Sequence, residues 1–143
     1  FFMGDTVVDA EFAENGTVKS VGTQNFGNIR LYADNFVLAS GSFFSKGMIA
    51  TPDRIYEPVF GVDLSYAEGR DQWFDRNFWH KQNYISYGAK VSKFLHASID
   101  GKPVGNLYAI GSLIGGSNTL YEGCGGGIAL LTALAAADGI LEK

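Results

Sequence analysis

Only one cysteine, Cys124, stands among the 143 residues, so no disulfide can form within the chain and a reducing compartment is permitted. One cysteine and two distant histidines, His80 and His96, lack the ligand spacing of a metal site, and the cysteine count excludes an iron–sulfur cluster held by this chain. Positive charge is scarce as well. Eleven Lys and Arg against 15 Asp and Glu leave a net charge of -4, the wrong sign for gripping a phosphate backbone, which argues against nucleic acid as a partner. The longest apolar run, Ile128 to Ala137, is broken only by Thr132 and falls well short of the roughly 18 residues that a membrane span needs. No charged n-region with a cleavage site opens the chain, which therefore reads as cytoplasmic. Charged residues are few, 18% against 46% hydrophobic, which excludes disorder and fits about one domain with a sizeable core. Because it starts at Phe1 within a stretch that reads as mid-strand, the chain is expected to be a piece of a longer polypeptide.

The residues that are present divide the chain in three. Near the start, Val7 to Phe12 and Val18 to Thr23 flank "AENG", whose Asn15-Gly16 pair takes the positive φ of a tight hairpin; "NFGN" then leads into Ile29 to Tyr32. These runs predict an antiparallel meander. Phe36 to Ala39 and the segment "NLYAIGS" (106–112) are apolar without alternation, the pattern of strands covered on both faces, and each run ends at a glycine, Gly41 or Gly111. Between them, residues 42–105 hold all three prolines, both tryptophans and both histidines, and read as a cap-like excursion. A short helix is expected near Asp71, with Phe74 and Phe78 on one face at a spacing of four. From Ile128 to Leu141, eleven residues are Ala, Leu or Ile, which predicts a helix buried almost all round. The fold class is mixed α/β, with residues 1–41 and 106–143 forming one part and 42–105 the excursion.

The stretch "EGCGGG" places Gly123, Gly125, Gly126 and Gly127 directly against that helix. A helix start presents unpaired N–H groups and partial positive charge, and glycines let an anion or an electron-rich ring edge reach those amides. The dinucleotide fingerprint G-x-G-x-x-G fails here, since the sixth position from Gly123 is Ile128. The phosphate-loop pattern fails too, because "GSFFSKG" carries Lys46 without the closing G-K-[ST]. A close strand-to-helix turn is the plainer use of the glycines. Six glycines between 115 and 127 are many for that purpose alone.

Together, "ADNFVLASGSFFSKGMI", "EPVFGVD" and "NLYAIGSLIGGSNTLYEGCGGGIALLTALAAADGI" resemble the C-terminal part of the B-type subunit family of anaerobic glycerol-3-phosphate dehydrogenase. These flavoproteins are similar in plan to the fumarate reductase and succinate dehydrogenase group. The resemblance implies the C-terminal portion of an FAD-binding fold whose dinucleotide fingerprint lies in an N-terminal half that these residues do not contain. It implies that Ala39, Ser40 and Gly41 end a strand beside the cofactor, that Gly111 and Ser112 end the last strand near its ribityl chain or pyrophosphate, and that Gly125, Gly126 and Gly127 aim the final helix at the flavin. Ser112 stands where many relatives carry Asp or Glu, which leaves FMN as an alternative to FAD. The implied chemistry is oxidation of sn-glycerol 3-phosphate to dihydroxyacetone phosphate, with electrons passing to a quinone through an iron–sulfur, membrane-anchoring partner subunit, alongside a catalytic flavoprotein partner. Such partners would place the protein in the cytoplasm, peripheral to the membrane's inner face. The alternatives are another flavin oxidoreductase on the same frame, or a non-catalytic assembly subunit. The piece alone is expected to hold no flavin.

Other residues admit a functional and a plainer reading. Lys46 and Arg54 are candidates for a substrate or cofactor phosphate, against solvated loop charges. His80 and His96 are the only imidazoles available for proton transfer, but neither has a partner motif and packing or surface is favoured for His80. Cys124, at a helix start, is expected to have a lowered thiol pKa yet to be no nucleophile. The aromatic group Trp73, Phe74, Phe78, Trp79, Tyr84 and Tyr87 fits a partner surface or a filled cap equally well.

Overall fold

Asn15 and Gly16 set the first turn. Asn15 Oδ1 accepts hydrogen bonds from the Thr17 backbone N–H (3.1 Å) and hydroxyl (2.7 Å), and Gly16 takes φ +79°. Strand β1 (Val7–Phe12) thereby folds back into β2 (Val18–Thr23), and β3 (Arg30–Tyr32) adds antiparallel to β2, completing the expected meander. Arg30 stitches the three strands together, pairing with Asp9 of β1 and donating to the Ser20 hydroxyl of β2 at 3.1 Å. The computed structural model describes residues 3–142. Phe1 and Phe2, where the strand-like reading begins, lie outside the described residues, and Met3 and Gly4 form a turn.

A second sheet positions the site. It has the order β4-β10-β9, where β4 is Phe36–Leu38. Two short antiparallel pairs follow β4 in the chain, β5 (Ile49–Ala50) with β6 (Ile55–Tyr56) and β7 (Leu64–Ser65) with β8 (Gly88–Ala89). Then come β9 (His96–Ile99) and β10 (Lys102–Ala109), the latter antiparallel to β9 and parallel to β4 with Leu38 opposite Ala109. Only β10 matches the expectation of a strand covered on both faces: Leu107, Tyr108 and Ala109 are buried. β4 sits at the sheet edge, so Leu38 is buried while Val37 is 46% exposed.

Besides a shared apolar core, a side chain of the second sheet hydrogen-bonds to the first as a strand would. Asn106 of β10 accepts a hydrogen bond from Val18 N–H (2.9 Å) and donates to the Val18 carbonyl (2.8 Å) and to the Asp34 carbonyl (3.2 Å). Replacing Asn106 with Ala leaves both backbone groups of the buried Val18 unpaired, and we expect it to cost about 1–3 kcal/mol in urea unfolding. An unchanged midpoint would refute that assignment.

Two expectations require correction. No α-helix forms near Asp71: only a 3-10 turn spans Arg70–Gln72, and Phe74 and Phe78 are both exposed. Side chains compete with the helix there, because Asp75 Oδ1 takes the Asn77 N–H (2.7 Å) and Asn77 Oδ1 takes the Trp79 N–H (3.1 Å). After a single-turn α1 (Thr119–Glu122), the long helix α2 (Gly125–Leu141) forms as predicted but is not buried all round. Leu130, Leu131 and Leu134 are 62%, 66% and 54% exposed, and Ala136 is its buried residue. The reason is geometric: a helix lying on one three-stranded sheet hides one stripe, and hiding the other face takes a second layer.

Candidate functional site

Parallel pairing of β4 with β10 brings their C-terminal ends side by side, and Ile110 N–H donates to the Leu38 carbonyl at 3.1 Å. The chain leaves each strand through a left-handed glycine, Gly41 with φ +76° and Gly111 with φ +67°, conformations that a side chain would strain. A β-carbon on Gly41 would stand 3.6 Å from Ser112 Oγ, and one on Gly111 would stand 4.0 Å from Ala129 of α2. The structure therefore gathers Ala39, Ser40, Gly41, Gly111, Ser112 and the first turns of α2 at one sheet end. That is where open α/β sheets bind ligands.

Thr132 fixes the helix over this edge. Its hydroxyl accepts the Gly111 N–H (2.9 Å) and donates to the Ile128 carbonyl (2.6 Å). The sequence shows it only as a break in an apolar run; nothing in its spacing announces a positioning role.

The start of α2 is bare. Cys124, at the N-cap position, makes no side-chain capping bond, and the amides of Gly125, Gly126 and Gly127 precede the first intrahelical N–H donor, Ile128, which bonds the Cys124 carbonyl at 3.0 Å. A β-carbon on Gly126 or Gly127 would meet nothing within 4 Å, and one on Gly125 would meet only Thr119, at 3.6 Å. No side chain of the described residues plugs this mouth. At the same sheet end, Ser40 Oγ is buried without a hydrogen-bond partner among the described residues. A buried hydroxyl left unpaired is costly, and one aimed at a cofactor group is relieved when that group arrives. Donor amides and a free hydroxyl fit the phosphates and carbonyls of a flavin nucleotide.

Lys46 and Arg54 are not brought into one cavity. Lys46, itself left-handed at φ 62°, lines a space of about 540 Å³ with Ser40, Gly47, Phe36 and Leu38. Arg54 lines another of about 490 Å³ with Lys90, Asp63 and Tyr66, and its guanidinium lies 5.0 Å from the Tyr56 ring centroid. Glu57 borders both. Its buried carboxylate accepts the N–H groups of Val59 (3.1 Å), Phe60 (2.7 Å) and Gly61 (2.9 Å), folding "EPVFG" into a tight loop. Sequence reasoning misses both Glu57 and Gly47, although a carboxylate before Pro-x-x-Gly is a loop signal that could have found the former.

His80 lies on the surface, its Nδ1 3.2 Å from Asp75 Oδ2. The Asn77 N–H and then His80 hold the Asp75 carboxyl below its ordinary pKa. His96 stacks on Tyr108 at 4.5 Å and bonds the Val104 carbonyl through Nδ1 (3.1 Å), a packing role. Among the described residues, no group of three or more His, Cys, Asp or Glu is placed to hold a metal ion.

The expectation for Cys124 is overturned in direction. Burial and then the Glu122 carboxylate, whose Oε2 accepts from Sγ at 3.5 Å, push the thiol pKa up rather than down. At about pH 8 Cys124 should therefore alkylate with iodoacetamide more slowly than a free thiol, and Glu122→Gln should speed the reaction. A rate above that of free cysteine would contradict this.

Known proteins share this chain's sequence over most of its length. The family model described as FAD binding domain matches residues 1–128, which supports FAD as the cofactor. The chain is 46% identical over 145 residues to the B-type subunit of anaerobic glycerol-3-phosphate dehydrogenase from Haemophilus influenzae, covering 98% of this chain and 33% of that protein. It is 41% identical to the corresponding subunit of Pectobacterium carotovorum, again with 98% and 33% covered, and 39% identical to that of Vibrio vulnificus, with 93% and 31% covered. The chain thus spans about a third of the length of the curated relatives it matches. No solved structure matches it.

Proposed function

Because this chain belongs to the FAD binding domain family, we propose that it is part of a flavin-dependent oxidoreductase that oxidises sn-glycerol 3-phosphate to dihydroxyacetone phosphate. The observation that carries the reading is the convergence of two glycine-ended parallel strand ends with an uncapped, side-chain-free helix start. The choice of substrate is supported by the names of the relatives, subunits of anaerobic glycerol-3-phosphate dehydrogenase.

In this reading Gly125, Gly126 and Gly127 direct their amides at a negatively polarised part of the cofactor, where the helix dipole favours charge. Ser40 Oγ and Ser112 Oγ hold hydroxyl or phosphate oxygens, and Gly41 and Gly111 let the backbone come close without a side chain in the way. FAD, when bound, supplies the hydride acceptor. Residues 42–105 form the substrate side, and Lys46 or Arg54 pairs with the substrate phosphate as a charge-assisted contact. Electrons leave through an iron–sulfur partner subunit to a quinone, which would bring the protein to the inner face of a membrane. Among the described residues no helix is long and apolar enough to cross one.

The test is spectroscopic. Full-length protein should purify with FAD whose visible absorbance bleaches on anaerobic addition of glycerol 3-phosphate. FAD that stays oxidised with this substrate would overturn the substrate assignment in favour of another oxidoreductase on the same frame. Absence of flavin together with tight binding to a partner flavoprotein would overturn the catalytic reading and support an assembly role.

A further inference from the structure

On its way from Gly111 at the strand end to Gly125 at the start of α2, the chain is stitched to residues 82–89 of the excursion. Gly115 N–H donates to the Ala89 carbonyl (3.3 Å), Gly116 N–H donates to the Ser86 carbonyl (2.8 Å), and Ile114 bridges Ala89 in parallel. Gly88 has no room for a side chain, since a β-carbon there would fall well inside contact distance of the Leu113 carbonyl oxygen and 2.5 Å from the Gly115 nitrogen. Two stretches of backbone therefore meet directly along a seam, and glycine on both sides permits it.

Asn118 closes this seam at the end nearer α2. Only 1% exposed, it donates from Nδ2 to the Gln82 carbonyl (3.1 Å) and accepts the Tyr121 N–H at Oδ1 (3.1 Å), while its own carbonyl accepts the Glu122 N–H (2.9 Å). The first bond holds the excursion; the other two start α1. Capping a helix takes an acceptor alone, which serine or aspartate supplies equally well. Asparagine brings a donor that the cap leaves over, and that donor is spent on a segment 36 positions away. Beyond the cap, α1 abuts the mouth of α2, because Thr119 is what a β-carbon on Gly125 would meet, at 3.6 Å. The path from the excursion to the mouth is thus continuous: the Gln82 carbonyl, the Asn118 side chain, α1, Gly125.

We propose that Asn118 is a positioning residue that locks residues 82–89 of the excursion to the start of α2, so that FAD at the mouth and closure of the seam favour each other. This rests on the reading of the α2 start as the cofactor's mouth. Such linkage is reciprocal: the factor by which FAD holds the seam shut is the factor by which the shut seam strengthens FAD binding. With FAD in place, the excursion is fixed relative to the cofactor, and fixed placement is what a substrate held on the excursion requires.

Gly115 and Gly116 report on the seam, because their hydrogen-bonded amides exchange with solvent when it parts. Hydrogen–deuterium exchange at these two amides is compared between flavin-stripped and FAD-reconstituted full-length protein. In the wild type, FAD should slow both by about tenfold or more. Asn118→Ser keeps an acceptor for the Tyr121 N–H but is too short to reach Gln82, so it separates the tie from the cap. In that variant the helical circular dichroism should be unchanged, and without FAD the two seam amides should exchange about tenfold faster than in the wild type. FAD should still protect Gly125, Gly126 and Gly127 there while no longer protecting Gly115 and Gly116, a selective loss that general destabilisation does not produce. Asn118→Ala, which removes the cap as well, should in addition lower the urea midpoint. Wild-type protein in which FAD protects the mouth but leaves Gly115 and Gly116 unaffected would overturn this inference and leave the cofactor reading standing. Full protection of both seam amides by FAD in Asn118→Ser would overturn it too. FAD that saturates the wild type without protecting the mouth would overturn the cofactor reading, and this inference with it.

Discussion

Replacing Gly126 with valine in the full-length protein should abolish FAD retention while leaving the helix and the fold intact. The two effects separate because of where the added atoms go. A β-carbon at Gly126 meets nothing within 4 Å, and this glycine is helical rather than left-handed, so the valine fits without strain. Exchanging glycine for valine in a helix changes stability by only about 0.5 kcal/mol, in the favourable direction. Yet in the proposed site its methyl groups fill the space through which a cofactor oxygen would reach the amides of Gly125, Gly126 and Gly127. A loss of affinity of at least about 100-fold is expected, equivalent to about 2.8 kcal/mol. The readouts are the flavin-to-protein absorbance ratio and the far-ultraviolet circular dichroism. Full flavin content in the variant would place the cofactor elsewhere.

Replacing Gly47 with alanine should do the reverse, damaging the fold first and the site through it. A β-carbon there would fall well inside contact distance of the Gly41 carbonyl oxygen and 2.8 Å from both the Gly41 carbonyl carbon and Ser40 Oγ. Two of those three atoms are backbone, in a turn already fixed by a left-handed Gly41 and by the Gly47 N–H bond to the Ser42 carbonyl (3.0 Å). Neither side can yield cheaply. Overpacking of this kind costs about 3 kcal/mol, read as a lowered urea midpoint, with FAD lost at denaturant concentrations where the wild type still holds it. A variant with wild-type stability would show that the 40–47 turn is far more compliant than its packing implies.

The contrast between these glycines explains what could be read from the sequence. The meander was legible because Asn15-Gly16 carries its own turn chemistry and the flanking strands keep local periodicity. Local signals also marked Gly41 and Gly111, each closing an apolar run. Contacts between distant segments were not legible: Gly47 lies against Gly41, Thr132 against Gly111, and Asn106 against Val18, and none of these pairs leaves a spacing pattern. The helix expected near Asp71 failed because Asp75 and Asn77 spend their carboxylate and amide on nearby N–H groups, a competition that apolar spacing of four does not register. For α2, composition gave the right element and the wrong environment. An alanine- and leucine-rich helix tells how much apolar surface it carries, not how many layers are present to cover it.

Everything proposed for the cofactor depends on the three glycine amides at the start of α2, which have no partner among the described residues. Hydrogen–deuterium exchange of the peptide spanning Glu122 to Ile128, compared between flavin-stripped and FAD-reconstituted full-length protein, addresses them directly. Protection of Gly125, Gly126 and Gly127 by about tenfold or more on adding FAD is the predicted result. Exchange that stays equally fast while FAD saturates the protein would mean that the helix mouth is not where the cofactor sits.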